Sequence, residues 1–155
     1  MLRLNPKSKL KAAGNHFVIV ASKYNSRYVE AMLKAAKREF ATANAAVKVV
    51  RVPGAFEIPV VAAKLAKSQS AKLSGIVCLG VILRGATTHA QHIGEAVSNS
   101  LATIQINFQI PIIHEVLLLE NEEQANARCL SPTHNRGTEA AQTAIEMARV
   151  MNSIA

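Results

Sequence analysis

A short stretch in the middle of the chain combines a glycine turn, two hydroxyl side chains and an imidazole. An apolar run over residues 75–83 is followed by Gly85, Thr87, Thr88 and His89. This pattern predicts a strand, a turn and a helix start, where unpaired N–H groups and the helix dipole favour an anion. Gly85 allows close approach to a ligand, and the threonines can cap the helix or bind the anion. We therefore predict an anion site beside His89.

Local sequence leaves several roles open for His89. An imidazole titrates near neutral pH, so His89 could act as a general acid and base beside a bound phosphate. It could equally cap the helix or be satisfied by its neighbours. His92 follows one helical turn later, which would suit a metal pair, but the sequence offers no third ligand. We expect no metal.

Two further turns carry groups that suit a planar, hydroxylated ligand. Tyr24 precedes Asn25 and could stack on a heterocycle, or it could be a surface tyrosine in a turn. Glu57 could accept hydrogen bonds from ligand hydroxyls or amines, or simply favour the start of a helix. We expect Phe56 to be partly buried, with its backbone lining the cleft.

Two arginines flank the last predicted connection. Arg128 ends a short predicted helix, where a cation ordinarily complements the dipole. It could instead offer a planar fork to phosphate oxygens. Arg136 stands at the start of the final helix and raises the same choice.

Strand-like and helix-like patterns alternate along the chain, which predicts parallel βαβ units. We expect a single domain over residues 16–155 after a basic, solvated arm over residues 1–15. The predicted strands are 16–21, 46–52, 75–83 and 110–119, and the predicted helices are 26–41, 57–67, 88–108, 122–129 and 135–154.

Open parallel sheets bind ligands beyond the carboxyl ends of their strands. That rule predicts that four separate pieces of sequence meet at one edge of the sheet. The pieces are residues 22–25, 53–57, 81–89 and 114–115.

The composition of the chain indicates which binding partners and which cellular compartment to expect. The chain has 155 residues, half of them hydrophobic, no tryptophan and a formal charge of +8. The charge favours phosphates or acidic ligands, but the basic residues are scattered and not interleaved with aromatics, so we expect no nucleic acid. Cys78 and Cys129 lack metal or disulfide spacing and indicate free thiols in the cytoplasm. We expect neither a secretory signal nor a membrane span.

Three segments together resemble the lumazine synthase (6,7-dimethyl-8-ribityllumazine synthase) family. They are Val-Pro-Gly-Ala-Phe-Glu-Ile-Pro at 52–59, residues 80–89 with Arg-Gly-Ala-Thr-Thr-His, and Glu-Gln-Ala-Asn-Ala-Arg at 123–128. The resemblance extends over about 16–154. It implies a flavodoxin-like three-layer α/β sandwich with a four-stranded parallel sheet flanked by helices.

The resemblance also implies a reaction and an assembly. The family condenses 5-amino-6-ribitylaminouracil with 3,4-dihydroxy-2-butanone 4-phosphate in the penultimate step of riboflavin biosynthesis, without a cofactor. Its members form pentamers or shells of pentamers, with active sites between neighbouring subunits.

By the same resemblance, each candidate residue acquires a role. His89 matches the catalytic histidine, and Tyr24 matches the aromatic residue that stacks on the pyrimidine. The remaining matches are Ala55, Phe56 and Glu57 for the ribityl chain and ring, Val81, Ile82 and Leu83 for the pyrimidine pocket, Gly85, Ala86 and Thr87 for phosphate, and Arg128 for phosphate across the interface.

The chain departs from the family pattern at the intersubunit wall. His114 stands where a phenylalanine commonly covers the ring, and Glu115 replaces a frequent glycine. Arg136 replaces a lysine, Cys129-Leu130 replaces Ala-Gly, and Pro132 enters the last connection. These changes keep open a flavin- or lumazine-binding protein that has lost the reaction. The charge keeps open a nucleic-acid or phosphate-binding module.

Overall fold

The computed structural model describes Lys11, Ala12 and residues 14–155. Most of the expected basic arm therefore lies outside the described residues. Within the described part of the arm, Ala12 is buried, and its N–H donates to the carbonyl of Ala43 at 2.7 Å. The division into an arm and a single domain stays a prediction.

Strands and helices alternate along the described chain as predicted. The strands are β1 (His16–Ser22), β2 (Ala46–Val52), β3 (Gly75–Leu83) and β4 (Ile112–Leu119). The α-helices are α1 (Ser26–Thr42), α2 (Ile58–Gln69), α3 (His89–Phe108), α4 (Glu122–Ala125) and α5 (Arg136–Ser153). A 3₁₀ turn (Ala55–Glu57) precedes α2, and a π-helical turn (Asn126–Leu130) follows α4.

Several element boundaries differ from expectation, and two of these differences have clear local reasons. The fourth strand begins at Ile112 rather than residue 110, because Pro111 has no N–H to donate to a ladder. The Ile112 N–H itself donates to the Gln105 side chain at 2.9 Å. The helix expected over 122–129 is α-helical only through Ala125 and then widens into the π-helical turn.

All four strands are parallel, in the order β2-β1-β3-β4. Ser22 pairs with Val52, and Leu83 pairs with Leu119, so the carboxyl ends of all strands lie along one edge. The strand order reverses between β1 and β3, and a crevice at such a reversal is where ligands bind in open α/β sheets.

Helices cover both faces of the sheet and enclose two apolar cores. Helices α1 and α5 pack on one face, where Phe17 and Phe40 stack with ring centroids 4.7 Å apart. Helices α2 and α3 pack on the other face around residues such as Ile58, Val97 and Leu101. The predicted flavodoxin-like three-layer architecture is confirmed. Among the described helices, none is both long and apolar enough to cross a membrane.

Candidate active site

The loop after β1 is hydrogen-bonded both to the end of β3 and to the loop after β2, at the carboxyl edge of the sheet. Asn25, in the left-handed conformation with φ 54°, donates its side-chain N–H to the carbonyl of Val81 at 2.7 Å. The N–H of Tyr24 donates to the carbonyl of Pro53 at 3.0 Å. Three of the four predicted segments therefore meet as expected.

Tyr24 and Glu57 lie together above Gly54. A Cβ atom at Gly54 would be 2.9 Å from both Tyr24 Cδ2 and Glu57 Oε2, so the absence of a side chain lets both groups approach the backbone. Glu57 Oε2 accepts the Gly54 N–H at 2.9 Å, which fixes the carboxylate. The Tyr24 side chain is 66% exposed, which leaves it accessible to a planar ligand.

The expectation that Phe56 is partly buried is wrong. Its side chain is 61% exposed, whereas Ala55 before it and Ile58 two residues after it are buried. Those two neighbours take the inward positions of the 3₁₀ turn and the start of α2, so the ring of Phe56 points away from the core. An exposed ring beside Tyr24 and Glu57 enlarges the apolar surface of this edge.

The end of β3 supplies mainly backbone to this edge. Val81 and Ile82 are buried in the two opposite cores, and Leu83 is half-buried. Beyond the strand, Arg84 donates its N–H to the carbonyl of Leu119 at 2.9 Å and pairs with Glu120 at 3.2 Å. The strand end therefore fixes the direction in which the next loop leaves the sheet.

The loop before α3 is open to solvent along its whole length. Gly85, Ala86, Thr87 and His89 are all exposed, and a side chain at Gly85 would meet nothing within 4 Å. Thr87 Oγ1 accepts the His89 N–H at 3.3 Å, while the Thr88 side chain caps no helix N–H. Helix α3 begins at His89, one residue later than predicted. Its 20 residues direct the positive end of a long dipole at this loop.

The expectation that His114 and Glu115 lie in a loop at the carboxyl edge is wrong. His114 is the third residue of β4 and pairs with Cys78. Strand β4 continues to Leu119, so Glu120 and the residues after it form the loop at that edge. His114 instead lies within the edge strand β4, on the face of the sheet that α3 covers.

Both ring nitrogens of His114 have partners in the same chain. Nδ1 accepts the Val116 N–H at 3.1 Å, and Nε2 lies 2.8 Å from Ser98 Oγ. An accepting Nδ1 places the ring proton on Nε2, which donates to the serine. His114 keeps an exposed part, but the loss of solvent around its ring lowers the pKa of the imidazole, which favours the neutral ring.

Arg128 lies on the π-helical turn, away from the Thr87 loop. Its turn packs against α1, α4 and α5, on the face opposite α3. Arg128 is exposed, and no hydrogen bond or ion pair joins it to the Thr87 loop within the described residues. One described chain therefore places Tyr24, Glu57 and the Thr87–His89 loop at the same carboxyl edge of the sheet, but not Arg128 or His114.

A buried ion pair between Glu115 and Arg136 was missed at the sequence level. Arg136 Nε and Nη2 donate to the two carboxylate oxygens of Glu115, each at 3.0 Å. Burial raises the pKa of the Glu115 carboxyl, and the adjacent guanidinium opposes that shift in part. The available signal was a carboxylate within an apolar strand, because a buried charge requires a partner.

The thiols do not suit nucleophilic chemistry. Burial raises the pKa of Cys78 to about 12 and that of Cys129 to about 11, so both remain protonated at neutral pH. Among the described residues, no group of three or more histidine, cysteine or acidic side chains could hold a metal ion.

Comparison with known proteins gives a consistent similarity over most of the chain. The family model for 6,7-dimethyl-8-ribityllumazine synthase matches residues 14–152. A 6,7-dimethyl-8-ribityllumazine synthase of Stenotrophomonas maltophilia (strain R551-3) is 35% identical over 141 residues. That alignment covers 89% of this chain and 90% of the relative.

Proposed function

This chain belongs to the 6,7-dimethyl-8-ribityllumazine synthase family, and on that premise we propose that it is a transferase of riboflavin biosynthesis. It condenses 5-amino-6-ribitylaminouracil with 3,4-dihydroxy-2-butanone 4-phosphate, giving 6,7-dimethyl-8-ribityllumazine, inorganic phosphate and two water molecules. The observation that carries the proposal is the location of Tyr24, Glu57 and the Thr87–His89 loop along one carboxyl edge of the sheet, where the strand order reverses.

The pyrimidine is held by the loops after β1 and β2. The exposed Tyr24 ring stacks on the flat heterocycle, and the ribityl chain runs along Ala55, Phe56 and Glu57. Glu57 suits polyol recognition because its second carboxylate oxygen stays available while Oε2 accepts the Gly54 N–H. The strand end over Val81, Ile82 and Leu83 closes the base of the pocket.

The butanone phosphate is held by the loop before α3. Gly85, Ala86 and Thr87 place backbone N–H groups and a hydroxyl beside the positive end of the α3 dipole. Arg128 adds a bidentate guanidinium from a neighbouring subunit. Both substrates are then bound, and holding the two reactants next to each other contributes much of the rate acceleration.

His89 moves the protons. The ring amine of the pyrimidine attacks the ketone, and loss of water gives an imine. His89, in the first turn of α3 beside the phosphate, removes a carbon-bound proton so that the C–O bond to phosphate breaks and inorganic phosphate leaves. Addition of the second amine to the remaining carbonyl and loss of a second water complete the lumazine ring.

The site is shared between subunits of a homopentamer or an assembly of pentamers. What supports this is the distribution of residues, since His114 and Arg128 lie away from the other candidate groups within one chain. The partners are thus small-molecule substrates and other copies of this chain. The buried thiols suit the cytoplasm, where disulfides are rare.

Mixing the two substrates with the protein tests the proposed function. Enzyme-dependent appearance of lumazine absorbance and fluorescence, with stoichiometric release of phosphate, is expected. Tight lumazine binding without turnover would instead identify a binding protein. Sedimentation velocity of the same preparation tests the assembly, and a monomer that turns over at full rate would overturn the shared site.

A further inference from the structure

Three charged side chains form a largely buried cluster between β4 and the start of α5. Glu115 accepts two hydrogen bonds from Arg136, and Arg136 Nη1 donates to Glu139 Oε2 at 2.7 Å. The exposed fractions of these side chains are 9%, 19% and 16% respectively. All three guanidinium nitrogens are therefore engaged. Such an arrangement has one well-defined geometry, because a bidentate pair is directional and an unpaired buried charge is costly.

The residue before Arg136 ties the same corner to the π-helical turn. Asn135 donates its side-chain N–H to the carbonyl of Cys129 at 2.6 Å, and its Oδ1 accepts the Gly137 N–H at 2.8 Å. The first turn of α5 thus contacts β4 through Glu115 and the π-helical turn through Cys129. His114 directly precedes Glu115, and Arg128 directly precedes Cys129.

We propose that Glu115 and Arg136 are positioning residues that fix Arg128 relative to His114, so that one subunit presents both to its neighbour's site. This inference rests on the proposed function, which assigns Arg128 and His114 to a site shared between subunits. Arg136 is not itself a phosphate ligand, since two carboxylates already occupy its guanidinium. Glu115 replaces a frequent glycine of the family pattern, and Arg136 replaces a lysine. The ion pair between them indicates that the two replacements belong together.

The first test separates positioning from general stability. Glu115→Gln is expected to raise KM for the butanone phosphate about fivefold and to leave kcat within about twofold of the wild-type value. The reason is that the substitution displaces Arg128, which binds the phosphate, but not His89, which transfers protons. In an Arg128→Ala background the same substitution should leave KM unchanged. An equal increase in both backgrounds would overturn the inference, because Glu115 would then act independently of Arg128.

The second test does not depend on turnover. Hydrogen exchange of residues 126–134, measured by mass spectrometry, should be faster in Glu115→Gln and in Arg136→Lys, which keeps the charge but loses the two-point contact. The matched control is Glu146→Gln, which removes an exposed pair with Arg149 at 3.7 Å on the same helix. Exchange in both cluster variants no faster than in the control would overturn positioning, even if the wild-type protein made no lumazine.

Discussion

The side chains of Tyr24 and Glu57 approach one point above the backbone of Gly54. A methyl group there would lie 2.9 Å from an atom of each, which is closer than van der Waals contact allows. The ring and the carboxylate come from different loops, so the absence of a side chain at Gly54 sets their relative position. The flat and the polyol parts of one substrate must fit that spacing together.

Gly54→Ala is therefore expected to weaken pyrimidine binding more than it weakens the fold. The atoms that must move are the ring edge of the exposed Tyr24 and the terminal oxygen of the half-buried Glu57, not backbone, so the free energy of unfolding should fall by only about 1 kcal/mol. KM for the ribitylaminouracil should rise about tenfold, and KM for the butanone phosphate should change little.

Steady-state kinetics with each substrate varied in turn measures both constants. Gly94→Ala on α3 is the matched control, because its added methyl group meets only Leu118, at an ordinary 3.5 Å. Equal increases in both Michaelis constants for Gly54→Ala would contradict the assignment of this corner to the pyrimidine.

His89→Ala should slow turnover without abolishing it. Proton transfer by a positioned side chain contributes about a hundredfold or more, so kcat is expected to fall by about that factor. The residual rate comes from holding the two reactants together. Single-turnover rates of lumazine formation measure the effect, with His92→Ala, one turn further along α3, as the control. A His89→Ala variant as fast as the wild-type protein would remove His89 from the mechanism.

The sequence was sufficient for the layers of the fold and for the edge that holds the candidate site. Alternation of apolar strands with amphipathic helices is a strong local signal, and parallel strands bring their carboxyl ends together by topology. Topology alone therefore predicts that the loops carrying Tyr24, Glu57 and Thr87 lie at one edge of the sheet. The boundary of β4 depended on Pro111, whose effect on a single hydrogen bond moved the strand start by two residues.

Features set by contacts between distant segments were not predictable in the same way. The pairing of Glu115 with Arg136 joins residues 21 positions apart, and neither local pattern specifies the other. The prediction that His114 lies at the carboxyl edge is wrong because residues 114–115 fall inside the strand predicted over 110–119, and only the end of that strand reaches the edge. Whether Arg128 and His114 reach a neighbouring site is a property of the assembly.

Gly137→Ala tests the close contact between α1 and α5. An added Cβ at Gly137 would overlap the carbonyl group of Met32, which is backbone and cannot rotate away. The two helices would have to separate, and we expect a loss of about 3 kcal/mol or more in the free energy of unfolding. Urea denaturation of Gly137→Ala beside Gly94→Ala measures the difference. Equal midpoints for the two variants would show that the α1–α5 contact is looser than described.

The stability of the protein should depend on pH through His114. Burial lowers the pKa of this ring, so the unfolded chain binds more protons than the folded chain between the folded pKa and about 6.5. The contribution of the neutral His114 ring to stability is then fully present above about pH 6.5, and it is lost as the pH decreases through that window. The cause is the loss of solvent around the ring where it packs between β4 and α3. Protonation of Nδ1 would in addition leave the Val116 N–H, 3.1 Å away, without its acceptor.

His114→Phe provides the comparison, because it keeps an aromatic side chain without a titrating group. Thermal midpoints measured from pH 5 to pH 8 should fall on acidification in the wild-type protein, and fall less in the variant. Ser98→Ala removes the 2.8 Å partner of Nε2 but leaves the Val116 contact, so it should keep most of the wild-type pH dependence. If acidification lowers the thermal midpoints of His114→Phe and of the wild-type protein equally, protonation of the His114 ring is not the cause of the pH dependence.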